Sequence, residues 1–243
     1  LAAALTDPDA GVRAAAAASL RELVETLAPE PALRDGLAAA LSGADPAVRA
    51  AALDVLRALR IGDAELFADS LSDPDIAVRV AAVRALVSVD AVADVARAAA
   101  VEPSREVRVT IAKALATLGT GADVARSALA ALIDDPDALV RGAAYEALGT
   151  TGCPAALARR AEAALSDLAW QVRAGAAAAL SSADSELAVP ALAKTLTDPN
   201  ADVRKAAVLA LTRHRAVEDA RVALAAATTD SDADVRAYAA RAL

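Results

Sequence analysis

Apolar and polar positions recur along this chain in a repeating order. A Val-Arg pair occurs eight times, and successive arginines of these pairs are 29 to 36 residues apart. A leucine follows each valine by eight residues, and an alanine follows seven of the valines by four. Positions spaced in this way share one face of a helix with about 3.6 residues per turn. Each pair is therefore predicted to open a helix, named the B helix, that buries a stripe of valine, alanine and leucine.

Turn signals precede every B helix. The position six residues before the arginine holds Glu102 in the fourth repeat, Gly43 in the second and an aspartate in the other six: Asp7, Asp73, Asp135, Asp167, Asp198 and Asp230. Aspartate is favoured at helix N-caps, and proline, which follows in five repeats, suits the first helical position. We expect these residues to cap the B helices, with Asp45 capping in repeat two. Another helix, the A helix, is predicted before each turn, for example over 31–42 and 122–133.

The pattern predicts an all-α fold, an α-solenoid of eight antiparallel helix-pair repeats of about 32 residues each. A single helix pair cannot bury its apolar stripe alone, so stacked neighbours supply the core. One array is expected over 1–243, with repeats at 1–28, 29–61, 62–89, 90–119, 120–152, 153–183, 184–215 and 216–243. The chain starts at Leu1 inside a helix pattern and stops at a core leucine, Leu243. Because solenoids need polar terminal caps, we expect further sequence beyond these ends.

The recurring motif is D-P-D-x-x-V-R-x-A-A-x-x-x-L, which stands from Asp7 to Leu20 and from Asp73 to Leu86. It resembles the short HEAT-like repeat of phycobilin lyase proteins over essentially the whole chain. The resemblance implies that the B helices line a concave side and that turn carboxylates and B-helix arginines form a structural ladder between repeats. The arginines of that ladder are Arg13, Arg49, Arg79, Arg108, Arg141, Arg173, Arg204 and Arg236, and its aspartates are the six turn aspartates named above.

A candidate partner-binding groove follows from the face of the B helices opposite the core stripe. Residues two, five, six and nine positions after each valine are expected there. An apolar patch rimmed by charge suits an amphipathic helix or an extended peptide with acidic residues. Alternatively, an alanine-rich composition leaves apolar residues on any face. The predicted partner-binding residues are Arg21, Leu53, Arg57, Val80, Val83, Arg84, Val87, Val109, Lys113 and Tyr145.

Composition narrows the classes of partner. Hydrophobic residues make up 57% of the chain but aromatic residues only 2%, and the net charge is −8. An acidic chain repels phosphate backbones, so no nucleic acid is expected as a partner. No apolar run is long enough to predict a membrane segment. Cys153 is the one cysteine, which excludes an internal disulfide. Together with the absence of targeting signals, this favours a cytoplasmic protein.

Residues that could carry chemistry are rare and scattered. Cys153 lies in a turn without an adjacent base, and His214 has no second histidine to complete a metal site. Trp170 precedes the Val-Arg pair of repeat six and is expected to pack on the adjacent turn. We therefore predict no catalytic residues, no metal and no cofactor, and a scaffold that binds a protein or peptide. The alternatives are a phycobilin-lyase-like enzyme or enzyme subunit, by analogy of fold, and a nucleic-acid-binding HEAT-like protein.

Overall fold

The computed structural model describes residues 1–118 and 120–243, and within them the secondary structure is helical, without strands. Fifteen α-helices alternate in type, which confirms the predicted α-solenoid class. The B helices are α1 Ala10–Leu23, α3 Pro46–Leu59, α5 Ile76–Ser88, α7 Arg105–Leu115, α9 Ala138–Thr151, α11 Trp170–Ala179, α13 Ala201–Arg213 and α15 Ala233–Ala242. The A helices are α2 Pro31–Ala40, α4 Ala64–Ala68, α6 Val92–Ala99, α8 Ala122–Leu132, α10 Ala155–Ala164, α12 Ser185–Thr195 and α14 Glu218–Ala227.

Short 3-10 helices complete the set. Ala2–Thr6 stands in the place of the first A helix, and Asp69–Ser72 prolongs α4. No helix among the described residues combines the length and the apolar character that a membrane span requires.

The helices form two compact units. Unit 1 comprises residues 1–114 and 118–121, and unit 2 comprises residues 115–117 and 122–243. Each unit is built from stacked helix pairs, in which a B helix contacts its own A helix and the neighbouring B helices: α3 packs on α1 and α5, and α11 packs on α9 and α13. The single array of eight repeats, with the boundaries given above, stays a prediction.

The buried stripe follows the predicted register in the interior repeats. The valines and leucines that open and close the stripe are fully buried in α3, α5, α9, α11 and α13. Two predicted stripe residues are exposed instead, Val12 on α1 and Leu243 after α15. Helix α1 is preceded by only the short 3-10 helix, and α15 is followed by no described helix, so each lacks a neighbour that would cover it.

The predicted N-caps are wrong by two residues. The side chain of Asp75, not Asp73, accepts the Ala77 and Val78 amides at the start of α5. Corresponding caps, also two residues after the predicted ones, are formed by Asp9, Asp137, Asn200 and Asp232. Asp45 caps α3, as expected for repeat two. The first aspartate of each D-P-D turn instead accepts the amide of the residue two positions later, as Asp73 does from Asp75 at 2.8 Å. That leaves one edge of its carboxylate for another donor.

Candidate interaction surface

Each arginine of the Val-Arg pairs donates hydrogen bonds to the turn that precedes its own helix. In α5 the Arg79 Nη1 donates to the carbonyl oxygens of Asp73 at 2.8 Å and Pro74 at 3.2 Å. All eight arginines donate from Nη1 to the carbonyl six residues earlier. The guanidinium therefore replaces water at the carbonyls of the turn in every repeat.

The same guanidinium groups also reach the next repeat. Arg49 donates from Nε to Asp73 Oδ2 at 2.7 Å and from Nη2 to Asp73 Oδ1 at 2.8 Å, a bidentate pair. Two-point arginine–carboxylate contacts of this kind are the stronger type of ion pair. Inter-repeat pairs of the ladder include Arg49–Asp73 and Arg79–Glu102 in unit 1, and Arg141–Asp167, Arg173–Asp198 and Arg204–Asp230 in unit 2.

These contacts keep the paired groups charged. At Asp73 burial raises the pKa of the carboxyl, but hydrogen bonds from Arg49 and from the Asp75 amide outweigh burial and leave that pKa below its ordinary value. At Asp230 the hydrogen bond from Arg204 is the largest influence and lowers the pKa. Carboxyl groups whose pKa is lowered in this way stay ionised at neutral pH and therefore cannot donate a proton as general acids.

The ladder has a gap between the first two repeats. Arg13 contacts only the carbonyls of its own turn, Asp7 and Pro8, because Gly43 occupies the carboxylate position. Gly43→Asp is expected to supply the missing partner and raise the free energy of unfolding by about 0.5–1 kcal/mol. Thermal unfolding measures the change, and the double variant Gly43→Asp with Arg13→Gln is the control. A gain that persists in the double variant would show that the aspartate acts without Arg13.

Four of the predicted groove residues are buried, so their assignment to an exposed surface is wrong. Leu53 and Val83 have 0% of their surface exposed, and Val80 and Tyr145 are buried as well. A B helix is flanked on both sides by its neighbours, so residues two and five positions after the valine face an adjacent helix. The Tyr145 hydroxyl donates to the carbonyl of Arg160 in α10 at 3.3 Å, and burial raises its pKa.

The other six predicted residues keep some exposure. Arg21, Arg84 and Lys113 are exposed, and Arg57, Val87 and Val109 are partly exposed. All but Val109 lie six or nine positions after the valine of their repeat. Within each unit these positions form the solvent-facing row of the B helices, which we name the B face. The residues at position six are Ala18, Asp54, Arg84, Lys113, Glu146, Ala178, Leu209 and Arg241, and each is exposed or partly exposed.

His214 is buried, which the sequence interpretation missed. Its Nε2 lies 2.9 Å from the Leu180 carbonyl, and its Nδ1 lies 2.9 Å from Ser185 Oγ. The carbonyl can only accept, so Nε2 is the donor. His214 thus joins the end of α11 to the start of α12 rather than capping its own helix. Its spacing of eleven residues from Val203 places it on the buried stripe, and that was the available signal.

Cys153 is a buried free thiol. Burial raises its pKa to about 11, so it is protonated at neutral pH and is a poor nucleophile. Trp170 opens α11 and is 40% exposed, next to the fully exposed Leu168. The expectation that Trp170 packs on the adjacent turn stays a prediction.

One open cleft in unit 1, of about 390 Å³, lies at the turns of repeats three and four. Its carboxylates already have partners: Asp73 pairs with Arg49, Glu102 with Arg79, and Asp94 with Arg97. Within the described residues, no three His, Cys, Asp or Glu side chains are grouped as a metal site would need. The carboxylates at this cleft thus form ion pairs that stabilise the fold.

Known proteins share this architecture. A profile described as HEAT repeats matches residues 64–149, 93–180 and 157–243, and one described as a HEAT repeat associated with sister chromatid cohesion matches residues 28–56. A crystal structure of an engineered protein is 22% identical, with a TM-score of 0.58 over 99% of this chain and 76% of that one. The X-ray structure of YibA from Escherichia coli is also 22% identical, with a TM-score of 0.58 over 79% and 72% of the two chains.

At this level of identity the two structures support the fold alone, and no curated protein matches. Neither matched profile singles out the phycobilin lyase type. Since the HEAT-repeat matches together span residues 64–243, the chain belongs to the HEAT-repeat family.

Proposed function

We propose that this protein is a non-catalytic scaffold that binds a protein or peptide partner through the B face. The observation that carries the proposal is a contrast between positions within the repeats. The ladder arginine and the leucine that ends the buried stripe are the same in all eight repeats. Position six of the B face instead holds small, acidic, basic and apolar residues.

Such a contrast is what a recognition surface on a repeating fold requires. A position that serves stacking must satisfy the same neighbours in every repeat and therefore stays constant. A solvent-facing position with no stacking partner is free to differ, and its differences give a partner something to recognise. The engagement of the ladder carboxylates and the protonated thiol of Cys153 support a binding role over a catalytic one.

Leu209 and Val222 offer a matched test of which surface binds. Leu209 lies on the B face of α13 and is 48% exposed, whereas Val222 lies on the A helix α14 and is 59% exposed. Peptides selected from a displayed random library against the whole chain are measured by fluorescence anisotropy. We expect Leu209→Glu to weaken peptides bound to unit 2 by about tenfold or more, as for an apolar contact at the centre of an interface.

Val222→Glu adds the same charge to the opposite side of the helix pair and should leave the dissociation constant unchanged. Circular dichroism and the melting temperature establish that both variants fold. The proposal is overturned if the selected peptides bind Val222→Glu more weakly but bind Leu209→Glu as tightly as the wild type. That result would place the binding surface on the A helices.

A further inference from the structure

The B face of unit 1 carries three basic residues on successive helices. Arg84 and Lys113 lie six positions after the valines of α5 and α7, and Arg57 lies one helical turn further along α3, nine positions after its valine. The α3 and α5 helices pack side by side, and the Arg79–Glu102 pair joins the turn of α5 to the turn before α7. We name Arg57, Arg84 and Lys113 the cation row.

The cation row differs from the ladder arginines because its groups are not used by the fold. Ladder arginines donate to carbonyls and carboxylates together, as Arg79 does. Among the described residues, Arg84 and Lys113 form no ion pair, and Arg57 Nε is a buried donor without an acceptor. An unsatisfied buried donor is costly to keep, and the exposed side chains of Arg84 and Lys113 are open to acceptors from a partner.

Carboxylates are nearly absent around the cation row. Helix α5 contains none, α3 contains only Asp54, and α7 contains only Glu106, which lies two turns from Lys113. Asp54 lies one turn before Arg57, at the position on α3 that matches Arg84, and its carboxylate is 3.5 Å from Arg21. In a protein of net charge −8 this face is therefore a local exception that attracts negative groups.

We propose that the cation row binds an extended acidic segment of a partner protein, an inference that rests on the proposed scaffold function. Neighbouring helices lie about 8–10 Å apart. A chain in the polyproline II conformation has three residues per turn and rises about 3.1 Å per residue, so every third side chain returns to one face after about 9 Å. Glutamate or aspartate at every third position would thus meet one cation on each successive helix.

A protein segment fits this face better than a nucleic acid does. Single-stranded nucleic acids are held by aromatic side chains on which bases stack, together with a basic groove. The aromatic residue of unit 1, Phe67, is buried between helices. Val87 and Val109 lie partly exposed beside the cations and offer apolar contact to a peptide backbone rather than stacking.

The test uses the whole chain and a fluorescein-labelled peptide with glutamate at every third position and proline or alanine between. Anisotropy at low ionic strength should show binding that salt weakens, and a glutamine version of the peptide should not bind. The variant Arg57→Gln, Arg84→Gln, Lys113→Gln should lose about tenfold in affinity, a loss within the range expected for three exposed charge pairs.

The control variant Arg97→Gln, Arg159→Gln, Arg215→Gln removes equal charge from exposed positions away from the row and should keep the affinity. Three outcomes overturn the inference: no binding of the acidic peptide, equal losses in both variants, or tighter binding of a single-stranded oligonucleotide than of the peptide. If library-selected peptides still depend on the B face while the acidic peptide fails, the scaffold proposal stands and only the acidic partner is wrong.

Discussion

Replacing Gly175 by valine is expected to lower the free energy of unfolding of unit 2 by about 3 kcal/mol, the upper end of the usual cost of overpacking. Gly175 lies where α11 meets α9. A Cβ atom at this position would stand 2.2 Å from the Gly142 carbonyl oxygen and 2.9 Å from its carbonyl carbon. Both are backbone atoms of a helix, so relief requires that a whole helix moves and that the contacts along it are lost.

Gly175→Ala and Gly11→Ala make the comparison sharper. Gly175→Ala introduces the same Cβ clash without the branched methyls. It should therefore lower the free energy of unfolding, but by less than Gly175→Val does. At Gly11 an added Cβ meets only the side-chain oxygen of Asp9, at 3.1 Å, and alanine gains up to about 1 kcal/mol in helix propensity over glycine. Urea unfolding and amide exchange in α9 and α11 measure the effect. Equal stabilities of Gly175→Val and Gly11→Ala would contradict the close approach.

The sequence predicts the helices of this fold better than the distances between them. Gly175 lies three positions after the valine of its repeat, and five of the other repeats have alanine at that position. The periodicity therefore predicts a helix there whichever of the two residues is present. Only the backbone position of Gly142 explains why a methyl group is excluded. Periodicity reports which residues share a face of a helix, whereas the approach of two helices depends on every side chain between them.

The same limit explains the errors in the candidate surface. Leu53 and Val83 lie opposite the valine stripe on a single helix, and that geometry alone suggests exposure. In the stack each B helix has a neighbour on both sides, so these residues are covered by a second interface that the pattern of one helix does not reveal. Arg84 and Lys113 were predicted as surface residues and are exposed, because their position is the one left between the two interfaces.

Turn chemistry was predictable in kind but not in detail. The sequence marks Asp73-Pro74-Asp75 as a turn with two carboxylates, and either one can cap a helix. Asp73 accepts the amide of Asp75, and Asp75 accepts the amide of Ala77 at the start of the helix. Asp7 and Asp9 are arranged in the same way although, among the described residues, no arginine of another repeat contacts the Asp7 carboxylate. The choice between the two carboxylates is therefore made within the turn, and the periodicity of the helices does not report it.

Removing the charge of Asp198 is expected to destabilise unit 2 by about 2–3 kcal/mol, between the values for exposed and buried ion pairs. Its carboxylate accepts from Arg173 Nε at 2.7 Å and Nη2 at 3.0 Å, and the two side chains are 9% and 14% exposed. Asp198→Asn keeps an acceptor for the Asn200 amide, so the turn survives while Arg173 loses its counter-ion. The nearby Asp202→Asn breaks an exposed pair with Lys205 and should destabilise the protein much less, because solvent screens that pair.

Acid titration separates the ion pair from a general packing effect. Burial raises the pKa of Asp198, but hydrogen bonds from Arg173 and the Asn200 amide outweigh it, so the folded pKa lies below that of the unfolded chain. The unfolded state then binds more protons in acid, and this stabilisation is present above about pH 4 and is lost as pH falls through the folded pKa. The denaturation midpoint of the wild type should therefore drop more steeply below pH 4 than that of Asp198→Asn. Parallel curves for the two proteins would mean that the Arg173–Asp198 contact contributes through packing and not through charge.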